Sequence, residues 1–290
     1  MELAVVIPTF NRLALTKQCI DSLRANKSRN DLIIICDSSS TDGTQSIQNF
    51  YDNLIFIDVG PSAWWSAAVN VGVQKAIHMG HKTVLVLNDD LDFNINLVDS
   101  ILVASKKNPN SIISASQEAN SKIFLGSIYS GFFKKTRHVY QNLDLVKNSS
   151  LEVDTTNGSC LLIPSEVFKK IGYFDEVQCP HLYGDTQFQL RALRAGIKTI
   201  CDLTTRVVQQ PNTNYIKRLS LSSMFVSPGS PLKISAHWAF CNALFGSEVR
   251  AFFLGAWHHY YFLKQTVKVC ILKCLVYFNF SRLFRNDHEN

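Results

Sequence analysis

Four short apolar runs in the N-terminal third of the chain constrain its fold more than any other feature. The runs lie at Leu3–Ile7, Leu32–Cys36, Leu54–Asp58 and Thr83–Leu87, and polar or glycine-containing segments separate them. Continuous apolar runs of this length are typical of strands that are buried on both faces. The chain is therefore expected to begin with a sheet that is covered on both sides.

The segments between these runs carry a helical pattern. Leu15, Cys19, Ile20 and Leu23 recur at a spacing that places them on one face of a helix, and a second helix is predicted through Ala67–Ala76. Strands that alternate with helices at this spacing form right-handed βαβ units. We therefore predict an α/β fold with a mostly parallel central sheet flanked by helices.

The regular alternation ends near Asp99, and the rest of the chain reads as paired strands and short helices. Pro211 and the Ser-Pro-Gly-Ser-Pro segment 227–231 indicate a linker, and residues 233–285 form a basic, aromatic-rich segment with helical spacing. Beyond Asp99, strands are predicted at 122–129, 132–140, 159–163 and 197–201, and helices at 165–172 and 185–195.

Charge and apolar content exclude several classes of protein. Apolar residues make up 46% of the chain, which suffices for a large core and excludes a disordered protein. The net charge of +6 lies in residues 217–290, which hold nine Lys or Arg against three acids. No uninterrupted apolar run reaches the ~18 residues of a membrane-spanning helix, and Met1–Pro8 reads as a first strand, not a signal peptide. The eight cysteines form no Cys-x-x-Cys pair, so we expect reduced, buried thiols in a cytoplasmic protein.

Asn88, Asp89 and Asp90 follow the fourth predicted strand directly. In open α/β sheets ligands bind beyond the carboxyl ends of the strands, so this position favours chemistry over packing. Hard oxygen ligands suit Mg²⁺ or Mn²⁺, which commonly bridge a carboxylate to the phosphates of a substrate. A solvated turn, with an aspartate that caps the next helix, is the structural alternative for an acid pair taken by itself.

A second polar segment follows the second predicted strand. Asp37 comes directly after that strand, and Asp42-Gly43-Thr44 follows a few residues on. A carboxylate here could accept hydrogen bonds from a nucleobase or a ribose, although an ordinary helix start would have the same residues. The sequence contains neither a Walker-type glycine loop nor a G-x-G-x-x-G motif, which counts against kinases and dinucleotide redox enzymes.

Four motifs, in this order, resemble the landmarks of family-two glycosyltransferases of the GT-A fold. They are Pro8-Thr9-Phe10-Asn11-Arg12, the Asp-Ser-Ser-Ser-Thr-Asp-Gly-Thr segment 37–44, the Trp-Trp-Ser-Ala-Ala-Val-Asn-Val-Gly segment 64–72, and Leu87-Asn88-Asp89-Asp90. The resemblance continues through segments 157–164, 172–176 and 181–191, so it covers about residues 1–205.

The resemblance implies a GT-A type nucleotide-diphospho-sugar transferase fold with a C-terminal helical extension. Residues 1–215 would form the catalytic domain, with a nucleotide-binding half at 1–98 and an acceptor-binding half at 99–215. Residues 216–290 would form a basic, aromatic helical tail.

The resemblance also implies roles for individual residues. Thr9 and Asp37 would contact the nucleoside of the donor, Asp90 would hold Mn²⁺ or Mg²⁺ on its diphosphate, and Asp185 would be the catalytic base. These roles agree with the chemistry, because a cation can neutralise the charge of the leaving diphosphate and a carboxylate can deprotonate the attacking hydroxyl. The predicted donor-contacting residues are Pro8, Thr9, Asn11, Arg12, Asp37, Asp42, Trp65, Asn70, Asn88 and Asp89.

Two of those residues also have a structural interpretation. Trp65, or its neighbour Trp64, could stack on a sugar ring or could pack in the core at a helix start. Asn70 could hydrogen-bond the donor or could serve as a structural cap.

The sequence departs from the family pattern at three places. Asn88 stands where the family often has the first acid of Asp-x-Asp, and Gly184 and Gln187 replace the acids that often flank the base. Relatives commonly have a histidine after the last strand, whereas this chain reads Arg-Val-Val-Gln-Gln at 206–210. Base chemistry would therefore depend on Asp185 alone.

Residues 250–285 combine aromatic and basic side chains at helical spacing. This pattern suits an interfacial helix on an anionic bilayer, where each Lys or Arg contributes ~1 kcal/mol near the surface. Packing as a helical hairpin against the catalytic domain or a second subunit is the alternative, so a homodimer through these helices is also a candidate. No recognised nucleic-acid-reading motif accompanies the patch, and we expect no nucleic-acid partner.

The sequence predicts an inverting glycosyltransferase that uses a UDP- or dTDP-linked sugar. The acceptor would be a hydroxyl of a surface glycan or of its lipid-linked precursor, which places the protein in the cytoplasm or on the inner face of the plasma membrane. A catalytically silent nucleotide-sugar-binding scaffold remains the alternative from another class. A sugar-phosphate nucleotidyltransferase is the weaker alternative, because Pro8-Thr9-Phe10-Asn11 lacks the glycines of a triphosphate loop.

Overall fold

The structure is a computed structural model and describes residues 3–119, 122–142, 150–210, 223–230 and 232–285, with the backbone alone at 119, 142, 224, 257 and 272–285. The strands are β1 Leu3–Thr9, β2 Leu32–Asp37, β3 Leu54–Asp58, β4 Thr83–Leu87, β5 Leu91–Phe93, β6 Ile112–Ala119, β7 Lys122–Ser130, β8 Lys135–Asn142, β9 Ser150–Val153, β10 Cys160–Pro164 and β11 Thr199–Gln209. The helices are α1 Leu13–Ala25, α2 Trp65–His78, α3 Leu97–Lys107, α4 Ser165–Ile171, α5 Gly184–Arg194, α6 Ile234–Phe245, α7 Glu248–Leu254 and α8 Ala256–Arg285.

The first four strands form the parallel half of the sheet that the apolar runs predict. Their spatial order is β3-β2-β1-β4, and each neighbouring pair is parallel. Thr9, at the end of β1, is paired with Asp37 at the end of β2. The carboxyl ends of these strands therefore bring the first, second and fourth sequence motifs to one edge of the sheet.

The sheet continues from β4 through β10, β6 and β11 to β5. Strand β10 runs antiparallel to both β4 and β6, and Cys160 at its start is paired with Leu87 at the end of β4. The Asn88 amide donates to the Ser159 carbonyl at 2.8 Å. Because β10 runs the opposite way, the loop that enters it lies beside the Asn88–Asp90 turn.

The second half of the sheet differs from the sequence prediction in the extent of its last strand and in three strands, β5, β6 and β9, that were not predicted. The last strand was predicted at 197–201 but extends to Gln209, because a register shift between Asp202 and Arg206 lets it continue along β6 and then pair with β5. Strand β6 was not predicted at all. It lies in the centre of the sheet with two buried serines, Ser114 and Ser116, which weaken its apolar pattern.

Helices cover both faces of the sheet. One face packs against α1 and α3, through residues such as Ile20 and Ile101. The other packs against α2, α4 and α5, through Val69 and Phe188. A Cβ atom at Gly72 would lie 2.4 Å from the Val6 side chain, so α2 can approach β1 only because that position is glycine.

The C-terminal helices pack against the second half of the sheet domain. Helix α6 contacts α5 and α7, and His258 of α8 lies with its Nε2 2.9 Å from the Lys134 carbonyl oxygen. Within the part of the chain that the structure describes, no helix is both long enough and apolar enough to cross a membrane. The predicted domain boundary at 215 and most of the predicted linker lie outside the described residues.

The cysteines whose side chains are described are free thiols, as predicted. Six of them are buried and Cys270 is half-buried. Cys274 lies outside the described side chains.

Candidate active site

A cavity of about 1020 Å³ opens at the carboxyl edge of the parallel strands. Its walls come from the strand ends, from the loop before β10, from the start of α5 and from the C-terminal helices. Seven of the predicted site residues line it: Pro8, Arg12, Trp65, Asn88, Asp89, Asp90 and Asp185. The structure thus brings together residues that are up to 177 positions apart in sequence.

Arg12 links the two acids at the end of β4. Its Nη1 lies 2.9 Å from Asp89 Oδ1 and 3.2 Å from Asp90 Oδ2. The side chain of Arg12 is 34% exposed, whereas those of both acids are 2% exposed. A guanidinium that bridges two buried acids and still reaches the cavity is well placed to bind a phosphate oxygen.

Both carboxylate oxygens of Asp89 are engaged by neighbouring side chains. Its Oδ2 accepts a hydrogen bond from the Thr9 hydroxyl at 2.8 Å, and the Thr16 hydroxyl lies 3.1 Å from the same oxygen. Burial raises the pKa of Asp89, although Arg12 and the hydrogen bond from Thr9 oppose that rise. Thr9 and Asp89 were both predicted to contact the donor, and the structure places them underneath Arg12, where they orient its guanidinium.

Asp90 is joined to the loop before β10 by a chain of side-chain amides. Gln209 Nε2 lies 3.3 Å from Asp90 Oδ2, Gln117 Nε2 donates to Gln209 Oε1 at 2.9 Å, and Asn157 Nδ2 donates to Gln117 Oε1 at 2.6 Å. In the sequence, 206–210 stand out only as a segment without a histidine. Gln117 was not predicted, because a contact across two strands leaves no local pattern.

The donor atoms around Asp90 fit a hard divalent cation. Asp90 supplies a carboxylate, and Asn88 supplies an amide oxygen at the same edge of the cavity, whereas Gln209 turns its amide nitrogen to Asp90 and its oxygen to Gln117. Mg²⁺ and Mn²⁺ prefer oxygen ligands and are often held by one or two carboxylates together with substrate phosphates. Asp89 is not available for this role, since Arg12, Thr9 and Thr16 occupy its oxygens.

Asp185 lies in the first turn of α5, where it faces the cavity. Its Oδ2 accepts a hydrogen bond from the Gly158 amide at 2.7 Å, and its Oδ1 accepts one from the Thr186 amide at 2.7 Å. Tyr183, before the helix, has a left-handed backbone with φ 65°, which turns the chain into α5. The carboxylate is therefore held in one orientation by two backbone donors.

Two glycines permit the close packing around Asp185. A Cβ atom at Gly158 would lie 2.3 Å from the Asp185 Cβ, and one at Gly184 would lie 2.4 Å from the Ser66 Oγ. Gly184 is one of the positions where the family pattern often has an acid. There is no room for a side chain there, because Ser66 fastens the start of α2 to the Cys179 carbonyl at 2.6 Å.

Burial raises the pKa of Asp185, and the hydrogen bonds from Thr186 and Gly158 only partly offset this effect. Asp185 also contributes to raising the pKa of the nearby Tyr129 to about 12, mainly an effect of that phenol's own burial. A carboxylate with a raised pKa is a stronger base than an exposed aspartate, and this is the direction that general-base chemistry near neutral pH requires.

Trp65 and Asn88 form one unit at the cavity wall. The indole Nε1 of Trp65 donates to Asn88 Oδ1 at 2.8 Å, and its ring packs edge-on against Phe174 with centroids 5.2 Å apart. Trp64 packs against His181, with ring centroids 5.5 Å apart. Both tryptophans are half-buried, so each combines a packing role with an accessible face.

Asn70 has structural partners. Its side chain bonds both the amide and the carbonyl of Phe174, at 3.0 and 2.9 Å, and its Nδ2 donates to Glu176 at 2.8 Å. It does not line the cavity. These bonds fasten α2 to the loop at 174–176, which is the structural role that was the alternative to a donor contact for this residue.

Three predicted residues do not line the cavity: Asn11 and Asp42, which lie in loops, and Asp37, which ends β2. Asn11 Oδ1 accepts from the Thr41 amide at 2.7 Å, and Asp42 accepts from the Leu13 amide at 2.8 Å, so both hold the two loops together. Asp37 is buried and accepts from the Ser40 amide at 2.8 Å and from the Ser40 hydroxyl. Of the three, Asp37 occupies the strand-end position that the nucleoside prediction requires.

The far end of the cavity is aromatic, which sequence analysis did not predict. Tyr129 of β7, Phe240 of α6 and Phe262 of α8 line it, together with His138 and His258. The rings of Tyr129 and Phe240 lie 5.9 Å apart. Flat apolar surfaces of this kind suit the faces of sugar rings.

Residues 4–172 match the sequence profile described as Glycosyl transferase family 2. Among curated proteins, the chain is 25% identical over 185 residues to the low-salt glycan biosynthesis hexosyltransferase Agl10 of Haloferax volcanii, a match that covers 62% of this chain and 59% of Agl10. It is 28% identical over 175 residues to an uncharacterized glycosyltransferase of Rickettsia typhi, covering 60% of this chain and 53% of that protein. The match therefore spans between half and three-fifths of the length of these relatives.

Solved structures share the fold. GalNAc-T7, in a crystal structure with UDP, GalNAc and Mn²⁺, aligns with a TM-score of 0.59 and 11% identity over 84% of this chain and 47% of its own. Residues 1–349 of S. aureus TarS, in complex with UDP-GlcNAc, align with a TM-score of 0.54 and 14% identity over 87% of this chain and 75% of that one. These similarities confirm the predicted GT-A fold.

Proposed function

The chain belongs to glycosyl transferase family 2, and from that membership we propose that it transfers a sugar from a nucleotide-diphosphate donor to a hydroxyl group of an acceptor. One observation supports this proposal above all others. The buried carboxylate of Asp185 and the Arg12–Asp89–Asp90 cluster face the same cavity. A base, and a site that binds the diphosphate through the Arg12 guanidinium and a cation held by Asp90, are the two features that such a transfer requires.

Asp185 would act as the general base of a single displacement. Its carboxylate takes the proton of the acceptor hydroxyl while the acceptor oxygen bonds to the anomeric carbon of the donor. The bond between that carbon and the diphosphate oxygen breaks on the opposite side, and the configuration at the carbon inverts. Gly158 and Thr186 hold the carboxylate oriented through this step.

Arg12 would bind the leaving diphosphate, since its guanidinium carries a fixed positive charge at the cavity wall. Asp90, with the amide oxygen of Asn88, would hold Mg²⁺ or Mn²⁺ beside it. When bound, such a cation neutralises charge that develops on the leaving oxygens. The chain of amides from Asn157 to Gln209 keeps the Asp90 carboxylate and the base-side loop in a constant relative position.

The donor nucleoside would bind at the ends of β1 and β2, beside Pro8 and Asp37. Asp37 retains acceptor capacity beyond its bonds to Ser40, because a carboxylate offers about four lone-pair sites. The UDP bound to GalNAc-T7 and the UDP-GlcNAc bound to TarS support a uridine nucleotide, and a thymidine nucleotide is the alternative.

The acceptor would enter from the aromatic end of the cavity. Tyr129, Phe240 and Phe262 offer ring-sized apolar surfaces there, and the naming of Agl10 as a glycan biosynthesis enzyme supports a glycan or lipid-linked glycan. Phe252, Phe253 and Tyr260 are 58–68% exposed on α7 and α8. These rings, with the basic charge of the segment, would hold the protein on an anionic membrane surface where lipid-linked acceptors are found. A dimer contact would use the same face.

A panel of UDP- and dTDP-sugars, with and without Mn²⁺, tests the proposal. We expect one or more donors to raise the melting temperature, and a suitable acceptor to release the free nucleotide. The Asp185→Asn variant should bind the same donor and release none. Failure of every donor to stabilise the protein would overturn the proposal, and binding without turnover in the wild type would favour the silent scaffold. A nucleotidyltransferase would instead consume a nucleoside triphosphate and a sugar phosphate.

A further inference from the structure

Two histidines and a cysteine converge between α6 and α8, away from the proposed catalytic groups. His237 and Cys241 lie one turn apart on α6, and His259 faces them from α8. His237 Nε2 lies 2.9 Å from His259 Nδ1 and 3.7 Å from Cys241 Sγ. One ligand atom from each residue lies within 4.8 Å of the other two. From this cluster we propose a binding site for a zinc-class transition-metal ion that fastens α8 to α6.

Two of the three ligand–ligand distances are close to those of a tetrahedral site, and the whole cluster spans no more than 4.8 Å. Zn–N bonds of roughly 2.0–2.1 Å and Zn–S bonds of roughly 2.3 Å place neighbouring ligand atoms roughly 3.3–3.6 Å apart. The contact between His237 Nε2 and Cys241 Sγ fits that range within 0.1–0.2 Å or so. The two histidine nitrogens need to separate by only about 0.4 Å to admit the ion.

His259 is already oriented as a metal ligand. Its Nε2 lies 3.1 Å from the Ala251 carbonyl oxygen, and because a carbonyl can only accept, Nε2 carries the proton. The Nδ1 atom of the neutral ring therefore presents its lone pair to His237. A ligating histidine that donates its other N–H to a backbone carbonyl is the usual outer arrangement of protein metal sites.

The rings are also fixed by stacking. His237 stacks on Phe262, with centroids 4.2 Å apart and planes inclined by 18°, and His259 stacks on Trp238, with centroids 5.7 Å apart at the same inclination. The stacking contacts thus hold both rings of the site in a set orientation.

Binding has a defined proton balance. Without metal, the N–H of His237 Nε2 donates the hydrogen bond between the two rings, because His259 Nδ1 carries a lone pair and can only accept. With metal, that proton moves to His237 Nδ1, and the thiol proton of Cys241 is released to solvent as three metal–ligand bonds form. The ligand set His₂Cys suits Zn²⁺ or Co²⁺, whereas Mg²⁺ and Mn²⁺ prefer the oxygen ligands around Asp90.

The position of the site gives it a role in the cavity. His237 and Phe262 both line the aromatic end, and so do Tyr261 and Gln265 of α8. An ion between α6 and α8 would hold these α8 residues over that end. Its fourth coordination position, which the three described ligands leave open, would take water or a group from the cavity.

Titration of the metal-free protein with Co²⁺ tests the inference without any activity measurement. We expect a near-ultraviolet sulfur-to-cobalt charge-transfer band and visible bands of tetrahedral intensity, which saturate at one ion per chain and disappear when Zn²⁺ is added. Co²⁺ at the Asp90 site would have only oxygen ligands and would give no thiolate band. A wild-type protein without such a band would overturn the proposal.

Two variants and a matched control locate the ion. Cys241→Ser should lose the charge-transfer band, whereas Cys270→Ser, on α8 but outside the cluster, should keep it. His259→Gln keeps a side chain that can still donate to the Ala251 carbonyl. It should weaken Co²⁺ binding by about 100-fold or more, because replacing even a residue that only hydrogen-bonds to a metal ligand lowers metal affinity 10–100-fold. An unchanged affinity in a folded His259→Gln protein would also reject the site. Neither result depends on whether the protein transfers sugars.

Discussion

The Gly158 amide donates to Asp185 Oδ2 at 2.7 Å, while a Cβ atom at Gly158 would lie only 2.3 Å from the Asp185 Cβ. The loop before β10 therefore both orients the proposed base and excludes any larger residue from that position. This contact joins two segments that are 27 residues apart and belong to different elements.

Gly158→Ala should lower kcat by about 100-fold, because a shift of about 1 Å in a catalytic group can cost that much. Binding of the donor nucleotide should change little, since Arg12 and Asp37 lie elsewhere. Steady-state kinetics with separate measurement of donor affinity checks this split between kcat and binding.

Gly80→Ala is the matched control for added bulk in the backbone. Gly80 has φ 85° and nothing within 4 Å of its Cβ position, at the opposite end of α2 from the cavity. Its substitution should cost stability through the left-handed backbone while leaving kcat unchanged. Equal effects of the two variants on kcat would contradict a specific role for Gly158.

The raised pKa of Asp185 predicts a dependence of stability on pH. Burial disfavours the charged form, so between the ordinary aspartate pKa and the raised one the folded protein binds more protons than the unfolded chain. The free energy of unfolding therefore contains a contribution that is present at low pH and is lost as the pH rises through the folded pKa. Replacing Asp185 by Asn removes this loss.

We accordingly expect the melting temperature of Asp185→Asn, relative to that of the wild type, to increase as the pH rises from about 4 to about 7. Asp89 has a pKa raised in the same direction, but it is present in both proteins and cancels in the comparison. Thermal unfolding at a series of pH values measures the difference. A constant difference across the series would show that Asp185 does not titrate in this range.

Asp90→Asn should remove most of the effect of Mn²⁺ on donor binding. In the wild type we expect Mn²⁺ to tighten binding of the donor, and in the variant this enhancement should fall by about 10-fold or more. Isothermal titration of the best donor with and without Mn²⁺ measures it.

Asp92→Asn provides the control for that measurement. Asp92 is an exposed acid two residues along, whose carboxylate accepts hydrogen bonds from Gln18 and Gln210 at 3.0 Å. Its substitution should leave the Mn²⁺ effect intact. If Asp90→Asn behaved like Asp92→Asn, phosphate binding would depend on Arg12 and not on a metal at Asp90.

Replacing both Phe252 and Phe253 by Ser should weaken binding to anionic vesicles by about 10-fold or more, since each ring contributes on the order of 1–2 kcal/mol when buried. Co-sedimentation with phosphatidylserine vesicles measures the loss. Phe50→Ser, which removes a ring that is 67% exposed elsewhere on the surface, should have no effect. If the double variant bound vesicles as well as the wild type did, and if the substitutions instead changed how the mass of the protein depends on its concentration, the face would be a dimer contact.

The sequence by itself determined the parallel half of the fold and the identity of the main polar groups. Strands β1 to β4 could be predicted because a run buried on both faces leaves a continuous apolar signal, which is visible in one chain. The proposed roles of Asp37, Asp90 and Asp185 came from the resemblance of their motifs, in order, to those of family-two glycosyltransferases.

Only the tertiary structure decided which of those groups share a cavity and what surrounds them. Asn70 turned out to bind Phe174, 104 residues away, and Gln117 to bridge Gln209 and Asn157 across neighbouring strands. The C-terminal helices supply the aromatic end of the cavity, although their sequence indicates only helical spacing. The physical reason is that hydrogen-bond partners and close backbone contacts are chosen by the packing of distant segments, and that choice leaves no periodic trace in the sequence.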